Sequence, residues 1–517
     1  MNIRTLSVSF AALTCLLAAF SGTGQAAGIK LEMVGRHESG IFDGAAAEIV
    51  AYHPASRTAF LVNGSTPSVD KVTFTADGDG LRLAASGELA LAANESPTSV
   101  AVHGDLVAVA VHDPDLPGNP GKVLFFSAAG QRLKEVAAGF LPDMVTFTPD
   151  GRYVLTADEG EPTKELNPEG SVTVIDLSGG VAKAAARIAN FRKFDAAAMK
   201  AKGVRVFPGQ TFAMDVEPEY LTVAADSKTA WVTLQEANAI ATLDIETASI
   251  TGIFPLGVKD HSKPENALDL SDKDGVNIRP YPVYGLYMPD TIASVSHGGT
   301  TYLLTANEGD ARDEELKFEE AKIAPAALSN SDRKAMARIR LSGIDGDSNG
   351  DGLIDRIHTY GARSFSVWST GGKQVYDSGS DFERITAQVL GNDFNASNDE
   401  PGGDDRSPKK GPEPEGIAVG KVGDRTYAFI GLERVGGIMV YDVTNPLKPV
   451  HMTYQVDRNF SGTLDYENPA DLAKAGDLGP EGLAFVAAGD SPLGAPLLLV
   501  ANEVSGTLTV YRVDVSR

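Results

Sequence analysis

Cysteine is almost missing from this 517-residue chain: the single one, Cys15, lies inside an apolar run from Leu6 to Phe20. Arg4 stands ahead of that run, and small residues ending in Gln25, Ala26 and Ala27 follow it, the pattern of a secretory signal over residues 1–26. At about fifteen residues the run falls short of the roughly twenty that cross a bilayer, so it does not read as a membrane anchor. Cys15 follows Ala12-Leu13-Thr14 where lipid attachment would want a small residue, which removes the lipoprotein reading. Once the signal is cleaved no cysteine remains, so disulfides, thiolate metal sites, covalent haem attachment and cysteine nucleophiles are excluded together. The expected location is periplasmic or secreted, with no membrane anchor after cleavage.

Other scarcities narrow the chemistry further. Tryptophan occurs only at Trp231 and Trp368, which leaves aromatic sugar platforms poorly supplied. The eight histidines form no HExxH and no close pair, so a zinc centre of the usual kind is not expected. Basic residues are outnumbered 45 to 69, a formal charge of −24 that becomes −25 when Arg4 is lost with no acid. Such a chain repels nucleic acid and anionic membranes and favours cations, although plain solubility would also explain the charge. With apolar residues at 43% and charged residues at 22%, a sizeable core is expected and long disorder is not.

What the chain has in abundance is one repeated phrase. Residues 411–443 read as a carboxylate (Glu415), a short apolar strand, a Gly-Asp turn, a second strand, Glu433, a Gly-Gly turn and a third strand. The phrase returns at 480–510 and 217–245, and in looser form from Leu141, Met288, Glu95 and Ala46, which makes seven copies. Units of three or four short antiparallel strands cannot bury both faces alone, so they stack radially. The prediction is an all-β fold, a seven-bladed β-propeller over residues 27–517. Two excursions interrupt it, a short helical one at 182–212 and a loop-like one at 255–283. The fifth unit carries an insertion, 311–410, containing a charged helix-compatible segment (314–340), two strands (364–369 and 374–377) and an amphipathic piece (381–390). An insertion of that length is expected to form a cap over one face.

Inside the insertion, Asp347, Asn349 and Asp351 at loop positions one, three and five, Gly352 at six, the Leu353 carbonyl at seven, Ile354 at eight and Asp355 at nine match a calcium loop. Position twelve is His358 rather than glutamate, so the last ligand is expected from Asp345, water or another segment. Gly346-Asp-Ser348-Asn-Gly350 also satisfies G-x-S-x-G, but that elbow needs a strand before it and a helix after it, so Ser348 is not read as a nucleophile.

Aligning the repeats on their first strands places Glu48, Asp143, Glu219, Asp290, Glu415 and Glu481 at one position, with Thr98 in the second unit. First strands line a propeller's axis, so these channel acids should converge at one mouth. A second ring follows the next strand: Asn63, Asp113, Asp158 or Glu159, Gln235 or Glu236, Asn307 or Glu308, Glu433, and Asn502 or Glu503. Like charges this close raise one another's pKa unless a metal or a basic side chain intervenes. Arg205, Arg312, Arg406, Lys410 and Arg434 are the candidate bases. The alternative is that the acids cap blade turns. Glu415 and Glu433 stand out because they flank the basic loop from Arg406 to Lys410.

The phrases TADEGEP, EPEYLTV, LDLSDKDGVNI, YPVYGLYMPD, TANEGDARD and GPEPEGIAVG…YAFIGLERVGGIMVYDV resemble the choice-of-anchor I family. That family includes mesenchyme-specific cell-surface glycoproteins and secreted bacterial proteins, some labelled alkaline phosphatase. The resemblance implies an exported propeller and leaves two functions open. One is a calcium-dependent phosphoesterase, in which channel acids hold calcium and a possible second metal while Arg406 and Lys410 neutralise the substrate phosphate beside Glu415 and Glu433. There a metal would lower the pKa of bound water and stabilise charge developing on phosphorus. The other is a non-enzymatic surface protein whose acidic face takes cations, mineral or a partner.

Overall fold

The computed structural model describes residues 28–66, 68–312 and 314–515, and the expected secretory signal lies outside them. The fold is all-β. Among the described residues there are seven four-stranded sheets, one three-stranded sheet and one two-stranded sheet. The first strands of the four-stranded sheets are Val50–His53, Ser96–His103, Pro142–Phe147, Pro218–Val223, Ile292–His297, Pro414–Val422 and Pro480–Val486. Each touches the next in this order, and the last touches the first. The sheets therefore stand radially about one axis, a propeller-like arrangement.

The sequence pattern explains the layering. Second strands such as Thr58–Asn63, Tyr153–Asp158 and Leu497–Asn502 are buried along their whole length, because a sheet on either side covers both faces. They read accordingly as mostly apolar runs that end on a polar residue. Outer strands such as Arg132–Ala137 and Ala185–Asn190 are mostly exposed. Between neighbouring sheets the side chains interdigitate: Phe60 and Val62 of the first pack with Val107, Val109 and Val111 of the second.

Ring closure uses a strand that belongs to no repeated phrase. Ile29–Glu38 pairs antiparallel with Thr507–Val515, matching Leu31 to Val513, and so completes the sheet begun by Pro480–Val486. The two ends of the described chain are thereby joined in one sheet.

The excursions differ from expectation in three places. The first half of 182–212 supplies an outer strand, Ala185–Asn190, after a 3-10 turn at Val181–Lys183, and the α-helices are Ala196–Ala201 and Phe212–Asp215. The segment 255–283, expected as loop, contributes Val258–Asp260 to a three-stranded sheet with Val283–Leu286 and Ile357–Thr359. The segment 314–340 holds a 3-10 turn, Pro325–Ala327, and one short α-helix, Asn330–Ala335, between the strands Glu315–Lys317 and Arg340–Ser342. These pieces have their own core: Leu268, Leu270 and Tyr281 pack with Met336, Ile339, Leu341 and Ile357. Contacts made across about a hundred residues are what local periodicity cannot show. The strands Ser364–Ser369 and Gln374–Asp377 return to the fifth sheet, and Asp381–Leu390 is helical, as the sequence indicates.

Leu31 is 3% exposed within the closing strand. Leu31→Ala is expected to cost about 2–5 kcal/mol, read as a lower urea midpoint. An unchanged midpoint would show that the ring does not depend on this strand.

Candidate active face at the channel mouth

A proline sets the aim of the channel acids. Pro97, Pro142, Pro218, Pro289, Pro414 and Pro480 immediately precede Thr98, Asp143, Glu219, Asp290, Glu415 and Glu481. Proline has no N–H for the ladder, and the pairing register slips just after Pro97, Pro142, Pro218, Pro414 and Pro480. The following residue is thus carried on a bulge, which redirects its side chain. Leu141, Met288 and Glu413, each next before the proline, have φ of 44°, 41° and 50°. Such left-handed backbone costs about 1–2 kcal/mol per residue. Their carbonyls accept the N–H groups of Glu159, Gly309 and Glu433 at 2.9, 3.0 and 2.8 Å, so the turn also fixes the second ring.

Glu48, Thr98, Asp143, Asp290 and Glu481 line one cavity of about 40 Å³. That is room for an ion or a few waters, not for a phosphoester. Burial and then Asp143 and Glu503 push the Glu48 carboxyl up to about 8. Burial, followed by Glu161, lifts Asp143 to about 6. Glu219 and Glu415 do not line the cavity, yet the negative charge of Asp143 reaches the first and that of Glu481 the second. Burial first, and then these neighbours, hold Glu219, Asp290, Glu415 and Glu481 well above the usual carboxylate range. The Glu415 Oε2 atom is buried without a hydrogen-bond partner.

The second ring divides into two kinds of residue. Asp158 accepts from Thr156, Ser171 and Thr173 at 2.6, 2.8 and 2.7 Å. Asn307 bonds Thr305, Ser364 and Ser366, and Asn502 bonds Thr507. Asn63 similarly bonds Asp70. These four are pegs between strands. The residue that follows the peg, Glu159, Glu308 or Glu503, joins the acidic mouth instead, with Glu236 and Glu433. Asp113 bonds exposed Asn94 and takes no part there.

Two carboxylate triplets form within this mouth. Oxygens of Glu308, Glu413 and Glu433 lie within 4.8 Å of one another, as do those of Glu159, Glu217 and Glu219. Around the first triplet, Lys410 Nζ lies 2.6 Å from Glu308 and 2.9 Å from Glu413. Arg406 pairs with Glu413, and Arg434 reaches Glu413 at 3.3 Å and Glu433 at 2.9 Å. Burial would raise Glu413, but Lys410, Arg406 and Arg434 hold it down to about 2. Glu413 was not among the residues singled out from sequence, since it lies outside the aligned strand. The tripeptide Glu-Pro-Glu at 217–219 and again at 413–415 was the available signal.

The remaining sequence candidates are placed as follows. Arg312 pairs with Asp215 at 3.1 Å and Glu217 at 2.6 Å. Arg205 pairs with Asp345 at 2.7 Å and also with Glu314. Asp345 therefore already has a cation and a hydroxyl partner, Ser342 at 2.7 Å. In the loop, Asp347 accepts the N–H groups of Gly350 and Gly352, Asn349 that of Asp351, and Asp351 that of Leu353. Asp355 accepts from Ser348 Oγ at 2.8 Å. His358 is buried in the strand Ile357–Thr359. Ser348 lies in the segment between two short strands with no helix after it, as the hydrolase elbow would require.

The family model described as the choice-of-anchor I domain matches residues 48–446. Gigasin-3a of Magallana gigas is 32% identical over 171 residues, 32% of this chain and 60% of that protein. The mesenchyme-specific cell surface glycoprotein of Strongylocentrotus purpuratus is 27% identical over 311 residues, 49% of this chain and 40% of that protein. The chain thus matches less than two thirds of the length of either relative. Among solved structures, the β-propeller domain of Myceliophteria thermophila Cps50 (Swd1) aligns with 94% of this chain and 100% of its own at 9% identity and a TM-score of 0.43.

The raised carboxyls give a signed pH dependence. Glu48 at about 8, Glu217 at about 7 and Asp143 at about 6 bind more protons folded than unfolded. Their contribution to stability is complete below the ordinary carboxylate value and is lost as pH rises through the folded ones. Glu413 has the opposite sign, but its contribution is lost only as pH falls toward 2. The thermal midpoint in chelator is expected to fall between about pH 5 and pH 8, and a midpoint that rises over this window would contradict it. Lys410→Met, which strands two buried carboxylates, is expected to cost about 3–5 kcal/mol by chemical denaturation. Lys410→Met with Glu308→Gln should cost less.

Proposed function

The chain belongs to the choice-of-anchor I family, and on that premise we propose that it is an exported seven-bladed propeller that binds divalent cations on its acidic axial face. The seven four-stranded sheets are read as its blades and the insertion 311–410 as its cap. One observation carries the binding reading: among the described residues, no lysine or arginine ion-pairs with Glu48, Asp143, Asp290 or Glu481, the carboxylates around the axial cavity. Acids packed this closely and left without a basic partner are neutralised by protons or by a metal. An all-oxygen donor set suits calcium or another hard divalent cation.

A calcium site at 347–355 belongs to the same reading. Supporting it are the oxygen side chains at alternate loop positions and the positive φ of Gly350 and Gly352, 77° and 82°. An extracellular or surface location is supported by the family and by the cell-surface name of one relative. No helix of the described residues is long and apolar enough to cross a membrane.

Phosphoester hydrolysis is the second reading, and what favours it is that Lys410 acts on Glu433 while Arg406 and Arg434 hold the adjoining Glu413. Arg406 and Lys410 are already engaged by Glu413, however, and the axial cavity, which neither of them lines, admits little more than an ion. Cation binding without catalysis therefore stands first.

Calcium added to chelator-treated protein is expected to raise the denaturation midpoint, by about 2.7 kcal/mol at a hundredfold excess over Kd. Glu481→Gln should reduce that gain. No shift with calcium, magnesium or manganese would overturn the binding reading. Turnover of an aryl phosphate that disappears in Glu433→Gln, with the fold intact by circular dichroism, would move the enzyme reading ahead.

A further inference from the structure

The two carboxylate triplets share two equivalent corners and are neutralised differently. Counting from the shared Glu-Pro-Glu, Glu217 corresponds to Glu413 and Glu219 to Glu415. By strand pairing, Glu159 corresponds, on the preceding sheet, to Glu308, while Gln235 stands where Glu433 does and Glu236 where Arg434 does. Three cations, Lys410, Arg406 and Arg434, serve Glu308, Glu413 and Glu433, so those three carboxylates balance and Glu415, the counterpart of Glu219, leaves an excess of one. In the other set the positions equivalent to those cations are Met214, Gln210 and Glu236, so an acid stands where Arg434 does.

Among the described residues, only Arg312 ion-pairs within the second set, and it is shared between Glu217 and Asp215. Four carboxylates, Glu159, Glu217, Glu219 and Glu236, thus face one guanidinium, an excess of three negative charges before Asp215 is counted. Glu236 adds an independent observation. It is 4% exposed, and its Oε2 is buried with no hydrogen-bond partner. It lies close enough for its charge to act on both Glu159 and Glu219.

We propose that Glu159, Glu217, Glu219 and Glu236 form a divalent-cation site in which an exogenous metal takes the place that Lys410 fills in the twin cluster. Its oxygen-only donors select calcium, magnesium or manganese over zinc or copper. The ligands come from the third and fourth sheets, so an ion there ties two sheets together at the mouth. This extends the axial-face reading but uses donors that do not line the axial cavity.

The test counts bound ions by isothermal titration with manganese and by its electron paramagnetic resonance signal. It compares the wild type with Glu236→Gln, Glu219→Gln, Glu481→Gln in the cavity, and Asp347→Asn with Asp351→Asn in the loop. Wild type is expected to bind one ion more than Glu236→Gln. That variant should keep the ions that the cavity and loop variants lose. Glu219→Gln provides the same reading should Glu236→Gln fail to fold. Wild-type ion counts in both glutamine variants would overturn the site while leaving the cavity and loop untouched. Manganese bound by no form of the protein would remove the axial-face reading as well.

Discussion

Buried like charges cannot share one opening unless something neutralises them, and that constraint governs the channel mouth of this protein. Each sector of the ring delivers an acid, or in one sector Thr98, to nearly the same place. At Glu413 the chain supplies its own counter-charges and drives the carboxyl down to about 2. At Glu48 it supplies none, and burial with the neighbouring acids drives the carboxyl up to about 8. The same residue type, a few positions around one axis, is thus held at opposite ends of the carboxylate range by the presence or absence of lysine and arginine.

The fold creates the problem by repetition. A proline that cannot enter the ladder, followed by a bulged residue, turns one side chain toward the axis in five of the sheets. Left-handed backbone at Leu141, Met288 and Glu413 is the local cost, and buried second strands on both sides supply the packing that offsets it. The hydrogen bonds from the second ring to those strained carbonyls bind the two rings into one unit. The insertion then brings Lys410 and Arg406 from outside the repeats to part of the mouth only.

Much of this was legible because propeller strands carry a short-range signal. The seven phrases fall on the seven four-stranded sheets, and of the aligned acids Glu48, Asp143, Asp290 and Glu481 line one cavity while Glu219 and Glu415 do not. Expectation was weaker where contacts are distant. The closing strand Ile29–Glu38 belongs to no phrase, so its pairing with Thr507–Val515 had no local cue. The core joining Leu268 and Tyr281 to Met336 and Ile357 spans two separate excursions for the same reason. Spacing alone could not choose between Asp158 and Glu159. A strand end sends successive side chains opposite ways, one into the hydroxyls of Thr156, Ser171 and Thr173 and the next into the mouth. Glu413 was missed since it precedes the strand on which the repeats were aligned, although the paired Glu-Pro-Glu tripeptides hold that information.

Diffraction from crystals equilibrated with manganese, recorded at its absorption edge, tests most directly whether metal neutralises these acids. Anomalous difference peaks are predicted among the carboxylates of Glu48, Asp143, Asp290 and Glu481, and none at Glu308 and Glu413, where Lys410 already sits. A mouth without peaks, in which the acids hydrogen-bond one another as neutral carboxyls, would contradict it.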